Sequence, residues 1–140
     1  MKIQYSLQEV SHIAERIKEL LVHHSIITFT GTLGTGKTTL IRELLRQLGV
    51  DEPVTSPTFN YVNSYDLPDG RTVYHFDLYR INTLSDFLSV GFGEYLYAAK
   101  SVCLIEWPQI IMPLLDHAVC HVALDYDSAQ SRIISYSCLK

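Results

Sequence analysis

One stretch of eight residues limits this chain more than any other, the glycine-rich run GTLGTGKT at residues 31–38. It satisfies the pattern G-x-x-x-x-G-K-[ST] at every fixed position. Gly31 and Gly36 permit backbone angles that a β-carbon would forbid, so successive N–H groups can turn toward one anion. Lys37 adds a compact positive charge, and the Thr38 hydroxyl is an oxygen ligand of the kind that Mg²⁺ prefers. The run predicts a phosphate-binding loop.

The segments on either side of this loop have the patterns that such a loop requires. Residues 26–30 form a short β-branched run, IITFT, which predicts a buried strand. Residues 38–48 repeat apolar side chains at helical spacing, and Gly49 follows where a helix would end. The amino end of that helix would direct its positive dipole toward bound phosphates. We therefore predict nucleotide contacts from Gly31, Leu33, Gly34, Thr35, Gly36, Lys37, Thr38 and Thr39.

The rest of the chain predicts a single α/β domain over residues 1–140 with antiparallel additions. Ser6 to Glu9 has the capping-box pattern S-x-x-E ahead of an amphipathic first helix. Two β-rich runs, residues 59–65 and 72–79, flank a Pro-Asp-Gly turn and predict a β-hairpin. The remaining predicted elements are a weak helix within residues 83–99, interrupted near Gly91 and Gly93, a buried strand at 101–105, and closing strands at 119–125 and 132–138.

Composition excludes several other classes of protein. Hydrophobic residues make up 47% of the chain and charged residues 19%, which is typical of a globular domain. No run approaches the ~18 apolar residues that cross a bilayer, and no signal core follows the first lysine, so we expect a cytoplasmic protein. The formal charge of −4 disfavours direct binding of RNA or DNA.

The three cysteines, Cys103, Cys120 and Cys138, are odd in number and far apart, so we expect packed, reduced thiols and neither a disulfide nor metal ligands.

Two carboxylates are candidates for the second acidic group that a hydrolysing P-loop protein needs. Glu106 ends the apolar run VCLIE at residues 102–106 and would emerge beside the loop, where it could help to hold Mg²⁺. The alternative is an ordinary charged strand end. Asp77 shares one face of its strand with His75 and Tyr79. That pattern alone leaves a functional face and a solvated face equally open.

Trp107, the only tryptophan, directly follows Glu106 and precedes Pro108. Because proline restricts the residue before it, we expect Trp107 to be extended and its ring to be held in place. The ring is either a rim aromatic or a direct nucleotide contact. In both cases we expect its fluorescence to respond to Mg·ATP.

Four motifs, taken in order, resemble the TsaE family, also called YjeE or YdiB, the bacterial ATPase of tRNA threonylcarbamoyladenosine biosynthesis. They are GTLGTGKTT from Gly31, SPTF at 56–59, YHFDLYR at 74–80 and LIEWP at 104–108. The resemblance covers nearly the whole chain. It implies a P-loop NTPase-like three-layer fold with a mixed sheet, and weak, partner-dependent hydrolysis of ATP with Mg²⁺. It also implies action with TsaB and TsaD on adenosine 37 of tRNAs that read ANN codons, with tRNA met only through the complex.

The resemblance gives roles to residues outside the loop. Thr58 would lie in a switch near the γ-phosphate, and Asp77 would lie in a second switch segment. Glu106 would help to hold the metal together with Thr38, and Arg132 would lie against the nucleotide. These implied roles make Thr58, Asp77 and Glu106 the expected catalytic residues.

Some features depart from the family pattern, and other functions stay open. Thr32 and Thr35 stand where the family loop GDLGAGKTT has aspartate and alanine, and Val10 stands where the family has a threonine. A small nucleoside or metabolite kinase is the main alternative, although such enzymes need an arginine-rich lid that is not evident here. A nucleotide-sensing module without hydrolysis is the second alternative. A GTPase is less favoured, because the chain has no Asn-Lys-x-Asp or Thr-Lys-x-Asp sequence to bind guanine.

Overall fold

The structure, a computed structural model, describes residues 2–57 and 60–139. Thr58, expected near the γ-phosphate, therefore lies outside the described residues. One mixed sheet has the spatial strand order β1-β7-β6-β2-β5-β4-β3. The strands are β1 (Lys2–Ser6), β2 (Ile26–Thr30), β3 (Val62–Asp66), β4 (Thr72–Asp77), β5 (Ser101–Glu106), β6 (Val119–Ser128) and β7 (Ser131–Leu139). The helices are α1 (Val10–Leu20), α2 (Lys37–Gln47) and α3 (Leu84–Ser89), with 3₁₀ segments at Leu7–Glu9, Phe92–Tyr95 and Gln109–Leu114.

The central strands of the sheet are parallel, and the outer strands pair antiparallel. β2 pairs in parallel with both β5 and β6, and β4 pairs in parallel with β5. The predicted hairpin is present as the antiparallel pair β3–β4, and β7 pairs antiparallel with β6 and β1. Because parallel strands end at the same edge of a sheet, the glycine-rich loop, Asp77 and Glu106 emerge together. We call this the carboxyl edge.

Helices cover both faces of the sheet. α1 and α2 pack on one face, where Ile13, Ile17 and Leu44 belong to one buried cluster. α3 and the later 3₁₀ segments cover the other face, where Phe87 and Ile111 belong to a second cluster. This three-layer arrangement confirms the predicted fold class. Within the described residues, no helix has the length and apolar character needed to cross a membrane.

At the amino-terminal end, the structure confirms the predicted capping box and adds a strand, β1, that the sequence does not predict. The capping box is present, because the Glu9 carboxylate accepts a hydrogen bond from the Ser6 N–H at 2.9 Å. It precedes a 3₁₀ turn that leads into α1. Strand β1 was not predicted. Only one of its five residues, Tyr5, is buried, so its apolar alternation is weak, and its pairing with β7 is what makes it a strand.

The prediction for the cysteines was wrong for two of the three. Cys120 and Cys138 form a disulfide between β6 and β7. They stand directly opposite each other in the antiparallel register, although 18 positions separate them in sequence. Strand pairing creates that proximity, and spacing along the chain cannot reveal it. Cys103 is a buried free thiol, as predicted, and burial raises its pKa to about 12.

Candidate functional site

The glycine-rich loop connects β2 to α2, and its glycines stand where the backbone needs them. Gly31, Gly34 and Gly36 have φ angles of 142°, 84° and 98°, a region that residues with a β-carbon rarely adopt. A β-carbon on Gly31 would also lie 2.5 Å from the Leu124 carbonyl oxygen. Gly36 immediately precedes the first residue of α2. The loop and the amino end of the helix therefore meet at one point, which is the usual geometry of an anion site.

A cleft of about 330 Å³ opens at this point on the carboxyl edge. Its walls come from the loop, from the first turn of α2, from the ends of β4 and β5, and from the segment that precedes β3. The lining residues are Leu33, Gly34, Gly36, Lys37, Thr38, Thr39, Ser56, Asp77, Glu106 and Trp107. The structure thus brings most of the predicted site residues into one cleft.

Lys37 carries the positive charge of the cleft. Its Nζ donates hydrogen bonds to the carbonyl oxygens of Gly31 and of Thr32, the latter at 3.3 Å. The ammonium also lies 4.1 Å from the centroid of the Trp107 ring, a cation–π contact. Burial lowers the pKa of Lys37, and the carboxylates of the cleft oppose this shift. Phosphate oxygens are stronger partners for an ammonium than carbonyl oxygens are, so a bound phosphate can replace both carbonyls.

Glu106 is a buried carboxylate with partners on both oxygens. The Thr38 hydroxyl donates to Oε1 at 3.1 Å, and His75 Nε2 lies 2.7 Å from Oε2. Glu106 is 3% exposed and His75 is fully buried. Within the described chain, Nδ1 of His75 has no hydrogen-bond partner. The proton of the imidazole therefore belongs on Nε2, where it can be donated to the carboxylate.

Sequence reasoning missed the role of His75. The sequence places His75 on one face of its strand and leaves a functional face and a solvated face equally open. The parallel pairing of β4 with β5 places the end of β4 against the end of β5, and this turns His75 toward Glu106. The alternation of His75 with Asp77 was the available signal, and its meaning depends on which strand lies next to β4.

Asp77 ends β4 directly opposite Glu106 in the register. It is half-buried, and its Oδ1 accepts a hydrogen bond from the Tyr79 N–H at 3.1 Å. Burial raises the pKa of Asp77, the Tyr79 N–H opposes this shift, and the negative charge of Glu106 adds to it. A carboxylate in this position prefers a nearby cation or a proton. This placement favours the functional interpretation of Asp77 over the solvated one.

The oxygen donors of the cleft fit a magnesium ion. The Thr38 hydroxyl and the carboxylates of Glu106 and Asp77 line the same cleft, and Mg²⁺ prefers oxygen ligands and keeps several waters. The set contains two acidic groups, which suits a divalent cation that also meets phosphates. Thr38 and Glu106 are in mutual contact, as two ligands of one ion must be nearly adjacent.

Arg132 lies behind the loop and is not among the residues that line the cleft. Its guanidinium donates to the carbonyl oxygens of Thr35 at 3.3 Å, Ser128 at 2.9 Å and Ser131 at 2.9 Å. It also lies 4.5 Å from the centroid of the Tyr126 ring. Arg132 therefore fastens the loop to the β6–β7 hairpin. Its predicted contact with the nucleotide stays a prediction.

The backbone of Trp107 differs from the prediction. Trp107 has a φ of 56°, so the expectation of an extended residue before Pro108 was wrong. Its ring lies against the Lys37 ammonium and 4.9 Å from the Tyr79 ring centroid. These tertiary contacts hold the ring and override the local preference. The positive φ of a bulky residue marks a constrained turn at the rim of the cleft.

Comparison with known proteins shows the family of this chain. A family model described as threonylcarbamoyl adenosine biosynthesis protein TsaE matches residues 4–134. The chain belongs to the TsaE family. It is 37% identical over 106 residues to the tRNA threonylcarbamoyladenosine biosynthesis protein TsaE of Treponema pallidum, covering 75% of this chain and 76% of the relative. It is 32% identical over 136 residues to the protein of the same name from Rickettsia felis, covering 96% of this chain and 78% of the relative.

A solved structure has the same fold. The crystal structure of YdiB from Bacillus subtilis superposes with a TM-score of 0.72 and 24% sequence identity. The match covers 100% of this chain and 87% of that chain. It supports the three-layer fold with the mixed sheet.

Proposed function

We propose that this TsaE-family chain binds ATP with Mg²⁺ in the cleft at the carboxyl edge and hydrolyses it slowly. One observation carries the proposal: the loop ammonium of Lys37, the Thr38 hydroxyl and the buried Glu106 carboxylate line one cleft at the start of a helix. A cation, a metal-binding hydroxyl and an acidic strand end are the parts that P-loop NTPases combine. A glycine-rich turn without a binding role does not require these three groups to lie together.

The residues of the cleft would divide the work of binding. The loop N–H groups and Lys37 would hold the β- and γ-phosphates, with Lys37 exchanging its two carbonyl partners for phosphate oxygens. Thr38 and Glu106, with Asp77 nearby, would hold the ion. When bound, Mg²⁺ neutralises the charge that develops on the phosphates. His75 would fix the Glu106 carboxylate in one orientation through the bond to Oε2, in the way that outer partners orient metal ligands.

Hydrolysis breaks the bond between the γ-phosphorus and the bridging oxygen, and the oxygen of a water forms the new bond. Asp77 would orient that water: its carboxylate lines the cleft, and its Oδ2 is not engaged by the Tyr79 N–H that bonds Oδ1. Thr58 is proposed near the γ-phosphate on the family resemblance alone. Lys37 is the one cation among the described residues of the cleft lining. Since an added arginine finger can raise such rates by about 10³–10⁵, we expect slow turnover until a partner assists.

The pathway is proposed from the relatives. The proteins of Treponema pallidum and Rickettsia felis are named for tRNA threonylcarbamoyladenosine biosynthesis, and we assign this chain to the same process. The family resemblance adds TsaB and TsaD as partners, adenosine 37 as the modified base and the cytoplasm as the compartment. The formal charge of −4 agrees with contact to tRNA through the complex and not directly.

The test is phosphate release from ATP by the purified chain, alone and with TsaB and TsaD. The wild type should turn over slowly alone and faster with the partners, and Lys37→Ala should be inactive in both cases. Lys18→Ala is the matched control, since Lys18 lies on the surface of α1 and donates to the Gln47 carbonyl. Full turnover without partners, with transfer of the γ-phosphate to a small acceptor, would replace this proposal by the kinase alternative.

A further inference from the structure

Three side chains of types that can bind metals lie together at the edge of the sheet opposite to the cleft. His24 lies in the turn between α1 and β2, Cys120 lies near the start of β6, and Cys138 lies near the end of β7. One donor atom from each residue lies within 4.8 Å of the others. Cys120 pairs with Ile27 at the start of β2, whereas the phosphate-binding loop follows the end of that strand. We call this group the thiol–imidazole cluster.

His24 makes the kind of backbone hydrogen bond that metal-binding histidines often make. Its Nδ1 lies 2.9 Å from the Leu20 carbonyl oxygen, to which it donates. Nδ1 therefore carries a proton, and in the neutral ring the lone pair of Nε2 is the one available to a cation. Metal-ligating histidines usually donate their other ring N–H to a carbonyl or carboxylate, which fixes the tautomer. The Leu20 carbonyl has that role here.

The two sulfur atoms differ in access but are held together by the sheet. Cys138 is exposed, so a small reductant can reach the disulfide, and Cys120 is fully buried. After reduction, the antiparallel register still keeps the two residues opposite each other. The reduced pair would be two thiols, which can lose their protons to become thiolate ligands. A divalent cation suits this set of sulfur and nitrogen donors and compensates the charge of the thiolates.

We propose that the reduced chain binds one thiophilic cation, with Zn²⁺ as the reference ion, through Cys120, Cys138 and His24. A water would complete the tetrahedron. A dithiol reductant first passes two electrons and two protons to the disulfide and becomes a disulfide itself. Binding of the ion then releases the two thiol protons to solvent. The disulfide and the metal site are alternative states of the same residues.

The test uses Co²⁺ as a spectroscopic probe on the untagged, full-length chain, reduced and then freed of reductant. One equivalent should bind and produce a thiolate-to-cobalt charge-transfer band with tetrahedral d–d bands, and Zn²⁺ should displace it. Cys120→Ala and Cys138→Ala should each abolish the band. His24→Ala should weaken binding by more than about tenfold, since even outer partners of metal ligands are worth about 10–100-fold.

Two matched controls separate this site from general affinity for metals. His23→Ala removes the exposed neighbour of His24, and Cys103→Ala removes the free buried thiol. Both should bind Co²⁺ as the wild type does. A reduced wild type with no more cobalt band than Cys138→Ala would overturn the proposal. Equal losses in His23→Ala and His24→Ala, or a disulfide that resists reduction in the folded chain, would overturn it as well.

Discussion

The two edges of the sheet carry different kinds of ligand atoms, and the residues of each edge are arranged differently along the sequence. At the carboxyl edge, the Lys37 ammonium, the loop backbone and two carboxylates line a cleft that suits phosphates and a hard cation. At the other edge, His24 and the Cys120–Cys138 pair offer nitrogen and sulfur, which suit a soft cation. The first site is built around a contiguous motif, and the second is assembled from three distant segments.

Because of this difference, we expect the two sites to respond differently to substitution of a residue and to oxidation. The loop of the carboxyl edge is fastened by Arg132 and by glycine geometry, so loss of one contacting side chain should remove function and leave the fold intact. The thiol–imidazole cluster depends on the β6–β7 register, and its state depends on the oxidation of sulfur. Substitution of single side chains at the carboxyl edge therefore tests how far that site is preformed.

The largest effect is expected from Lys37→Ala, which removes the cation that would meet the phosphates. Charge-assisted hydrogen bonds are worth about 1.5–3 kcal/mol each, so ATP affinity should fall by at least about 100-fold. Calorimetric titration with Mg·ATP measures this loss, and circular dichroism confirms the fold. Lys18→Ala should keep wild-type affinity. Unchanged binding by a folded Lys37→Ala protein would contradict the assignment of the loop.

Glu106→Gln should damage hydrolysis more than binding. The change keeps the size of the side chain and removes the charge that would hold the metal, while Lys37 and the loop still hold the phosphates. We expect phosphate release to fall by about 10²-fold, the range for loss of one electrostatic group in a transition state. ATP affinity measured without Mg²⁺ should be little changed. A wild-type rate across a magnesium titration would reduce Glu106 to an ordinary strand end.

A smaller effect is expected from loss of the bond between His75 and Glu106. His75→Leu removes the donor and should weaken binding of the divalent ion by about 10–100-fold, whereas His75→Gln retains an N–H donor and should recover part of the affinity. Mn²⁺ binding in the presence of ADP, followed by electron paramagnetic resonance, reads the site without turnover. Thermal unfolding of both variants separates this effect from instability. Equal Mn²⁺ affinity in the wild type and His75→Leu would show that His75 only fills space.

The smallest effect is a spectroscopic one at Trp107. Its ring rests on the Lys37 ammonium, and Lys37 should move its hydrogen bonds to phosphate when ATP binds. Tryptophan fluorescence should therefore change on addition of Mg·ATP, and the change should be absent in Lys37→Ala. Since Trp107 is the only tryptophan, the signal has one source. A saturating titration without any change in intensity or emission maximum would show that the surroundings of the ring do not change when nucleotide binds.

The contiguous parts of the fold and site were predictable from sequence. The loop, the flanking strand and helix, the hairpin and the strand that ends at Glu106 each depend on short-range patterns, and the structure has all of them. The conformation of Trp107 was not predictable, because contacts with Lys37 and Tyr79 override the preference imposed by Pro108.

The features that depend on strand pairing were not predictable in the same way. The contact of His75 with Glu106 requires β4 to lie beside β5, and the Cys120–Cys138 bond requires a particular register of β6 with β7. Strand β1 has only Tyr5 buried and gains its identity from β7. Each of these features is a contact between residues that are far apart in the sequence, and a local sequence pattern carries no information about such contacts.

If the cleft at the carboxyl edge supports threonylcarbamoyladenosine formation through ATP, as we propose, then loss of its lysine must lower the amount of this base in tRNA. The most direct measurement is the threonylcarbamoyladenosine content of tRNA, by mass spectrometry, in a bacterium depleted of its own TsaE and supplied with this chain. The wild-type chain and Lys18→Ala should restore the modified base, and Lys37→Ala, expressed at the same level, should not. Restoration by Lys37→Ala, or no restoration by a folded wild-type chain that binds the host TsaB and TsaD, would contradict the account.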